Sequence, residues 1–303
     1  MMTPQPKKPR ALSASGVRGY LLTAFSGSPD GAPDWVVKMG EGADEGYFGP
    51  GSAVWAVNGG VAVLVGGIRA LLMQTLHPGA MAGVHDWSRY REDPLGRLAG
   101  TVRWVLTTTF DDRAGADAGS AFVRGMHGRV TGTYVAANGQ LTPYSAGDPD
   151  LVRWVHVVFA DSFLRCHQQF VGEIPGGADR YVEEWSIAGG LMGDTAAARS
   201  ESELRAHLDA FRPEMVSDER VAEALKFIRR PPLSWTVMPG YRVLFAGAVA
   251  SLDPEIRGLL GLRRAWWPAK TATRVVLAGL AWLLGRPSTS EKFARKRMSR
   301  LAG

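Results

Sequence analysis

The chain has one cysteine, Cys166, in 303 residues, so it has no internal disulfide. The same scarcity excludes four-thiolate metal sites and cofactor attachment through a cysteine pair. Any metal chemistry must therefore rest on histidine, carboxylate or that single thiol. Long hydrophobic runs are also missing. The longest near the C-terminus, Val275 to Gly285, is well short of the ~20 residues a spanning helix needs. The opening stretch, MMTPQPKKPRALSASGVRGYLL, starts basic but holds no sustained apolar core. No secretory leader is expected from it, and a cytoplasmic location is. There is no P-loop, dinucleotide glycine fingerprint, strand-flanked nucleophile elbow or paired-histidine zinc helix. Basic residues are not interleaved with aromatics on one face, so nucleic acid is not an expected partner.

What is present points to a large helical core. Hydrophobic residues make up 46% of the chain, with ten tryptophans, enough to bury one substantial domain. The net charge of +6 is concentrated at one end. Arg286, Lys292, Arg295, Lys296, Arg297 and Arg300 face only Glu291 in the last eighteen residues. Such an end is more often a solvated helix or a frayed tail than a contact surface. Beside the apolar run it also allows peripheral contact with anionic lipid.

Helix starts are marked by aspartate followed by proline, at Asp93-Pro94, Asp148-Pro149 and Asp253-Pro254. Ser200 with Glu203 has the spacing of a capping box. Apolar residues recur at helical spacing between these points, and alternating strand segments are not evident. Asn138-Gly139 is a turn dipeptide, read here as ending the preceding helix rather than as a hairpin. The Gly/Pro/Asp-rich stretch Ser26 to Gly51 reads as a surface loop. The expected architecture is a single-domain, all-α, multi-helix bundle whose first half forms its centre. Its parts are an N-terminal extension and loop (1–45), a helical domain (46–285) and a basic C-terminal tail (286–303).

His127, in FVRGMHGRVTG, sits in a helix expected from about Ala118 to Tyr134. Val123, Val130 and Tyr134 at i−4, i+3 and i+7 place its ring on the apolar stripe. Arg124, at i−3, would disfavour its protonation and leave a lone pair for a metal, or pair with carboxylates of a bound cofactor. A histidine on an apolar face is, all the same, more often a packed core residue than a ligand. His156, in a helix apolar nearly all round, should lie deep, as a packing residue, a ligand or a ligand's support. His77 precedes Pro78, and His85 stands beside Asp86; both read as polar side chains at a helix break. His167 and His207 read as surface residues. Arg97 and Thr101, at i and i+4, form a polar stripe on one helix edge.

Taken together, four ordered blocks resemble the catalytic domain shared by the latex-clearing rubber oxygenases and the mycophenolic-acid-pathway oxygenase. The blocks are GIRALLMQTLHP, DPLGRLAGT, MHGRVTG and DPDLVRWVH, and the resemblance covers roughly Gly46 to Gly285. It implies a globin-like bundle binding haem b non-covalently, and an oxidoreductase using dioxygen on a small apolar or aromatic molecule. By the same resemblance His127 is the iron ligand, and Arg97 and Thr101, matching an arginine and a threonine of the family's haem pocket, are the catalytic candidates. Arg124, as a cation for haem carboxylates, and His156, which falls at another histidine block of the family, are the further cofactor-binding candidates. Arg103 and Arg129 are further cations available to haem carboxylates. Two positions depart from the pattern. Gly100 stands where the rubber oxygenases carry a lysine, and Asp111 replaces a glycine after TTTF. Glycine can neither cap an iron nor donate to bound oxygen, so rubber cleavage itself is not implied. Two other readings stay open on the residues alone. One is a non-catalytic helical protein binding lipid or a partner through the C-terminal helix and tail. The other is a non-haem metal enzyme using His77, His85 or His156.

Overall fold

The structure, a computed structural model, describes residues 13–88 and 92–303. Most of the basic N-terminal start read above lies outside them. Among the described residues there are fifteen α-helices and one two-stranded sheet. In order these are α1 (Ala14–Ser26), α2 (Asp34–Lys38), α3 (Ala53–Asn58), α4 (Val63–Gln74), α5 (Pro78–Trp87), α6 (Pro94–Phe110) and α7 (Arg113–His127). The hairpin β1 (Thr131–Val135) and β2 (Leu141–Ser145) follows. Then come α8 (Pro149–Phe170), α9 (Gly177–Met192), α10 (Glu201–Phe211), α11 (Glu219–Arg229), α12 (Met238–Ser251), α13 (Pro254–Leu259), α14 (Ala269–Leu284) and α15 (Thr289–Ala302). The chain is all-α in class, as the helical periodicity predicts.

The centre is the pair α4 and α8, which pack on each other more extensively than any other two helices. Their close approach depends on Gly66. A Cβ there would lie 2.7 Å from the Phe163 ring and 3.2 Å from the Ser162 carbonyl, so only glycine lets the backbones meet. One turn on, the Arg69 guanidinium pairs with Asp161 at 2.6 Å and donates to Ser162 Oγ at 2.8 Å. Both charged residues are buried, and a buried ion pair survives only when both members are satisfied in this way.

All three aspartate–proline pairs open helices, at α6, α8 and α13. Only Asp93 makes the cap bond, accepting from Gly96 N–H. Asp148 instead accepts from Ser145 N–H, closing the hairpin onto α8, and Asp253 faces Arg212. Ser200 accepts from Glu203 N–H as the box requires.

The structure departs from three expectations. Asn138-Gly139 does form a hairpin, with Gly139 at φ 81°, and the preceding helix stops at His127 rather than running on to Tyr134. Val130, Thr131, Thr133 and Val135 are β-branched, which favours a strand over a continued helix. Tyr134 packs instead with Tyr144, Ala82 and Leu151 in a small satellite core. Secondly, 26–51 is more than a surface loop, since it contains α2 and buries Val36, Met39 and Phe48. Residues 289–302, expected as a solvated helix or a frayed end, do form a helix, but one that is anchored and secures this segment. Arg297 is fully buried and donates to the carbonyls of Met39, Glu45 and Phe110.

Candidate functional site

Helices α6 and α7 are joined by only Asp111 and Asp112, so they pack as an antiparallel pair. Residues equally far from the turn then face one another. Trp104 on α6 donates its indole N–H to Ser120 Oγ on α7 at 3.1 Å, which fixes that register. Seven positions further from the turn on each helix, the same register sets Arg97 against His127. Electrostatics agree. Burial lowers the His127 pKa first, and the positive charge of Arg97 lowers it further. The imidazole is therefore neutral near pH 7.

Two polar groups here lack partners among the described residues. His127 Nδ1 is buried with no hydrogen bond among the described residues. Arg97 is half-buried, burial lowers its pKa, and no described residue forms an ion pair or hydrogen bond with its guanidinium. Arg97 still carries its charge at any ordinary pH. Thr101 sits on the same face and donates its hydroxyl proton back to the Arg97 carbonyl at 3.5 Å. Gly100 lies between them in the stripe Arg97, Gly100, Thr101, Trp104. A Cβ at Gly100 would meet nothing within 4 Å, so the space beside it is open.

The surrounding surface is apolar but unfilled. From Gly96 to Trp104 no residue of α6 is fully buried, although Leu98, Ala99 and Val102 are apolar. On α7 only Ala116 and Ser120 are buried, while Phe122 is 68% and Met126 40% exposed. A half-buried apolar flank carrying a neutral imidazole and a cation unpaired among the described residues suits an apolar ligand that bears an anionic group.

The other predicted residues are placed elsewhere. Arg124 is exposed and donates to the Leu191 carbonyl, tying α7 to α9. The cation acting on His127 is thus Arg97 from the preceding helix, not its neighbour on α7. Arg103 lies over the Trp35 ring at 5.4 Å, and Arg129 donates back to the Gly125 carbonyl. His77 caps α5 through Nδ1, which accepts from Gly79 and Ala80 N–H, and its Nε2 meets Glu214 at 3.2 Å. His85 bonds Asp86 at 2.8 Å. His167 is buried rather than at the surface, because α8 is enclosed along to Phe170.

His156 is buried as expected, but among Asp194 and His207 rather than beside His127. It packs so tightly on α9 that a Cβ at Gly189 would lie 3.1 Å from its ring. Burial drives its pKa down to about 4, against the raising effect of Asp194. Its ring is neutral in the folded chain, whereas in the unfolded chain it takes up a proton near pH 6.5. That contribution is intact above pH 6.5 and is lost progressively as pH falls from 6.5 towards 4. The loss should reach about 3 kcal/mol. Denaturant melts at pH 7 and pH 4 should show a smaller loss, by about that amount, in His156→Leu than in the parent. Equal losses in the two proteins would remove His156 from the acid sensitivity.

Among the described residues no three His, Cys, Asp or Glu side chains converge as metal ligands. No helix among them is long and apolar enough to cross a membrane. Residues 55–286 match the family model described as the catalytic domain of ER-bound oxygenase mpaB/B′/rubber oxygenase. No curated protein and no solved structure matches the chain.

Proposed function

The chain belongs to the mpaB/rubber oxygenase catalytic-domain family and is an oxidoreductase acting with dioxygen, and from that premise we propose a haem b-dependent oxygenase of a small apolar or aromatic molecule. One observation carries the haem reading. A lone neutral imidazole with an unpartnered ring nitrogen stands opposite a guanidinium with no anion among the described residues. An ion held by protein donors alone needs three or more converging side chains, whereas a porphyrin supplies four nitrogens itself and asks the protein for one axial ligand.

The residues fit that group. His127 is the proposed iron ligand, held neutral by burial and by Arg97 so that a lone pair is available. Arg97 supplies a fixed positive charge for an anionic group, and Thr101 a hydroxyl oxygen free to accept. The unfilled sides of α6 and α7 supply the apolar wall. Arg124 is proposed to support haem binding by fixing α7 on α9, and His156 by filling the space behind α9. Haem, when bound, supplies the iron centre for dioxygen activation. With Gly100 in place of a basic side chain, the pocket is proposed to be wider there and to take a compact substrate. The oxygenase unit is assigned to 46–285, with 1–45 as an extension and 286–303 as the segment bracing it.

The test is a hemin titration of purified protein followed by absorbance. A saturable Soret band is expected, with a shift when carbon monoxide is added after reduction. A protein that leaves hemin unbound would overturn the haem reading while leaving family membership intact.

A further inference from the structure

The exposed face of α14 and the turn before it carry a surface the oxygenase reading does not use. The helix buries Ala269, Thr273 and Leu277 against the bundle, and Thr273 Oγ donates to the Val243 carbonyl on α12. Its opposite face is open. Thr271, Val275, Ala278 and Trp282 follow one another at i, i+4, i+7 and i+11 along it, one continuous stripe on a helix. Val275 is 67% exposed, Trp282 82% and, just before the helix, Trp267 96%. Trp266 beside it is 53% exposed, and four large apolar side chains exposed in one stretch mark a contact surface.

Charge identifies what covers it. From Ile256 to Ser290 the chain holds six cations (Arg257, Arg263, Arg264, Lys270, Arg274 and Arg286) and no aspartate or glutamate. A second copy docking face to face would bring two such one-signed surfaces together, which is unfavourable. An anionic bilayer offers the complementary sign. Tryptophan and arginine together suit its interface, where an amphipathic ring sits at headgroup depth and a cation meets phosphate or carboxylate. The helix is too short to cross, so the apolar stripe must lie along the surface. We infer that α14, with Trp267 and Trp282 inserted and Arg263 and Arg264 at the headgroups, docks the protein on anionic lipid membranes.

The inference stands apart from the haem reading, since none of these residues contributes to the α6–α7 site. Full-length protein should co-sediment with vesicles of phosphatidylcholine plus phosphatidylserine, bind poorly to phosphatidylcholine alone, and be released by high salt. Each cation at such a surface contributes roughly fivefold to partitioning. Arg263→Gln with Arg264→Gln should therefore weaken binding roughly 25-fold. Trp267→Ser with Trp282→Ser should abolish binding. All four residues are exposed, and unchanged circular dichroism and melting temperature would show that both variants keep their fold. Failure of the parent to bind anionic vesicles at low salt would overturn the inference. So would unchanged binding in both double variants, or a dimer in light scattering that the tryptophan variant dissolves.

Discussion

Arg297→Met should lower the stability of the protein by about 3–5 kcal/mol, the largest loss expected from any residue near the C-terminus. Arg297 is fully buried although it comes from the most basic part of the chain. Its guanidinium spans three segments, donating to Met39 at 2.5 Å, Phe110 at 2.9 Å and Glu45 at 3.3 Å, with Asp111 at 3.7 Å. Methionine preserves most of the volume but leaves those carbonyls without donors in a site closed to water. A buried polar group without a partner costs about 1–3 kcal/mol, and a buried charge left unpaired costs more. The change should appear as a fall in Tm of roughly 10 °C. Arg297→Lys should rescue little, because an ammonium cannot bridge carbonyls in a planar fork. A Tm within about 2 °C of the parent would mean that α15 does not hold the 39–46 segment to the end of α6.

That helix also shows where sequence reasoning stops. Composition makes residues 286–303 basic, and a basic end is usually solvated. Nothing in the local pattern distinguishes Arg297 from Lys296, because the distinction is made by carbonyls about 190–260 positions earlier. Helix starts are local and were legible, since proline after aspartate needs only its own backbone geometry to be satisfied. The end of α7 was less so. Val123, Val130 and Tyr134 continue a helical stripe through His127 by spacing alone. The β-branched run and Gly139 decide in favour of a hairpin once Tyr134 can pack on Tyr144.

The candidate site was legible in its residues but not in its pairing. The pattern marks His127, Arg97 and Thr101, while helical spacing alone puts Arg124, at i−3, beside His127. A signal for the correct partner did exist. Only two residues separate α6 from α7, and counting equally outward from that turn reaches Arg97 and His127 together. Their pairing needs the turn to be tight and the helices antiparallel, conditions that Trp104 and Ser120 meet halfway along.

Replacing His127 by glycine should lower hemin affinity at least about 100-fold, since loss of residues that merely support a ligand already costs 10–100-fold. The change should be tolerated by the fold. His127 ends its helix, Gly128 and Arg129 follow it at the surface, and no described residue bonds its buried nitrogen. What is removed is a neutral imidazole, and the free molecule can be supplied in its place.

The most direct measurement is therefore a hemin titration of His127→Gly with and without added imidazole, read by the Soret band beside the parent protein. Weak binding with an altered band, restored to the parent's position and affinity by imidazole, is the predicted result. A variant that binds hemin with the parent's spectrum and affinity, with or without imidazole, would contradict the assignment of His127 as the iron ligand.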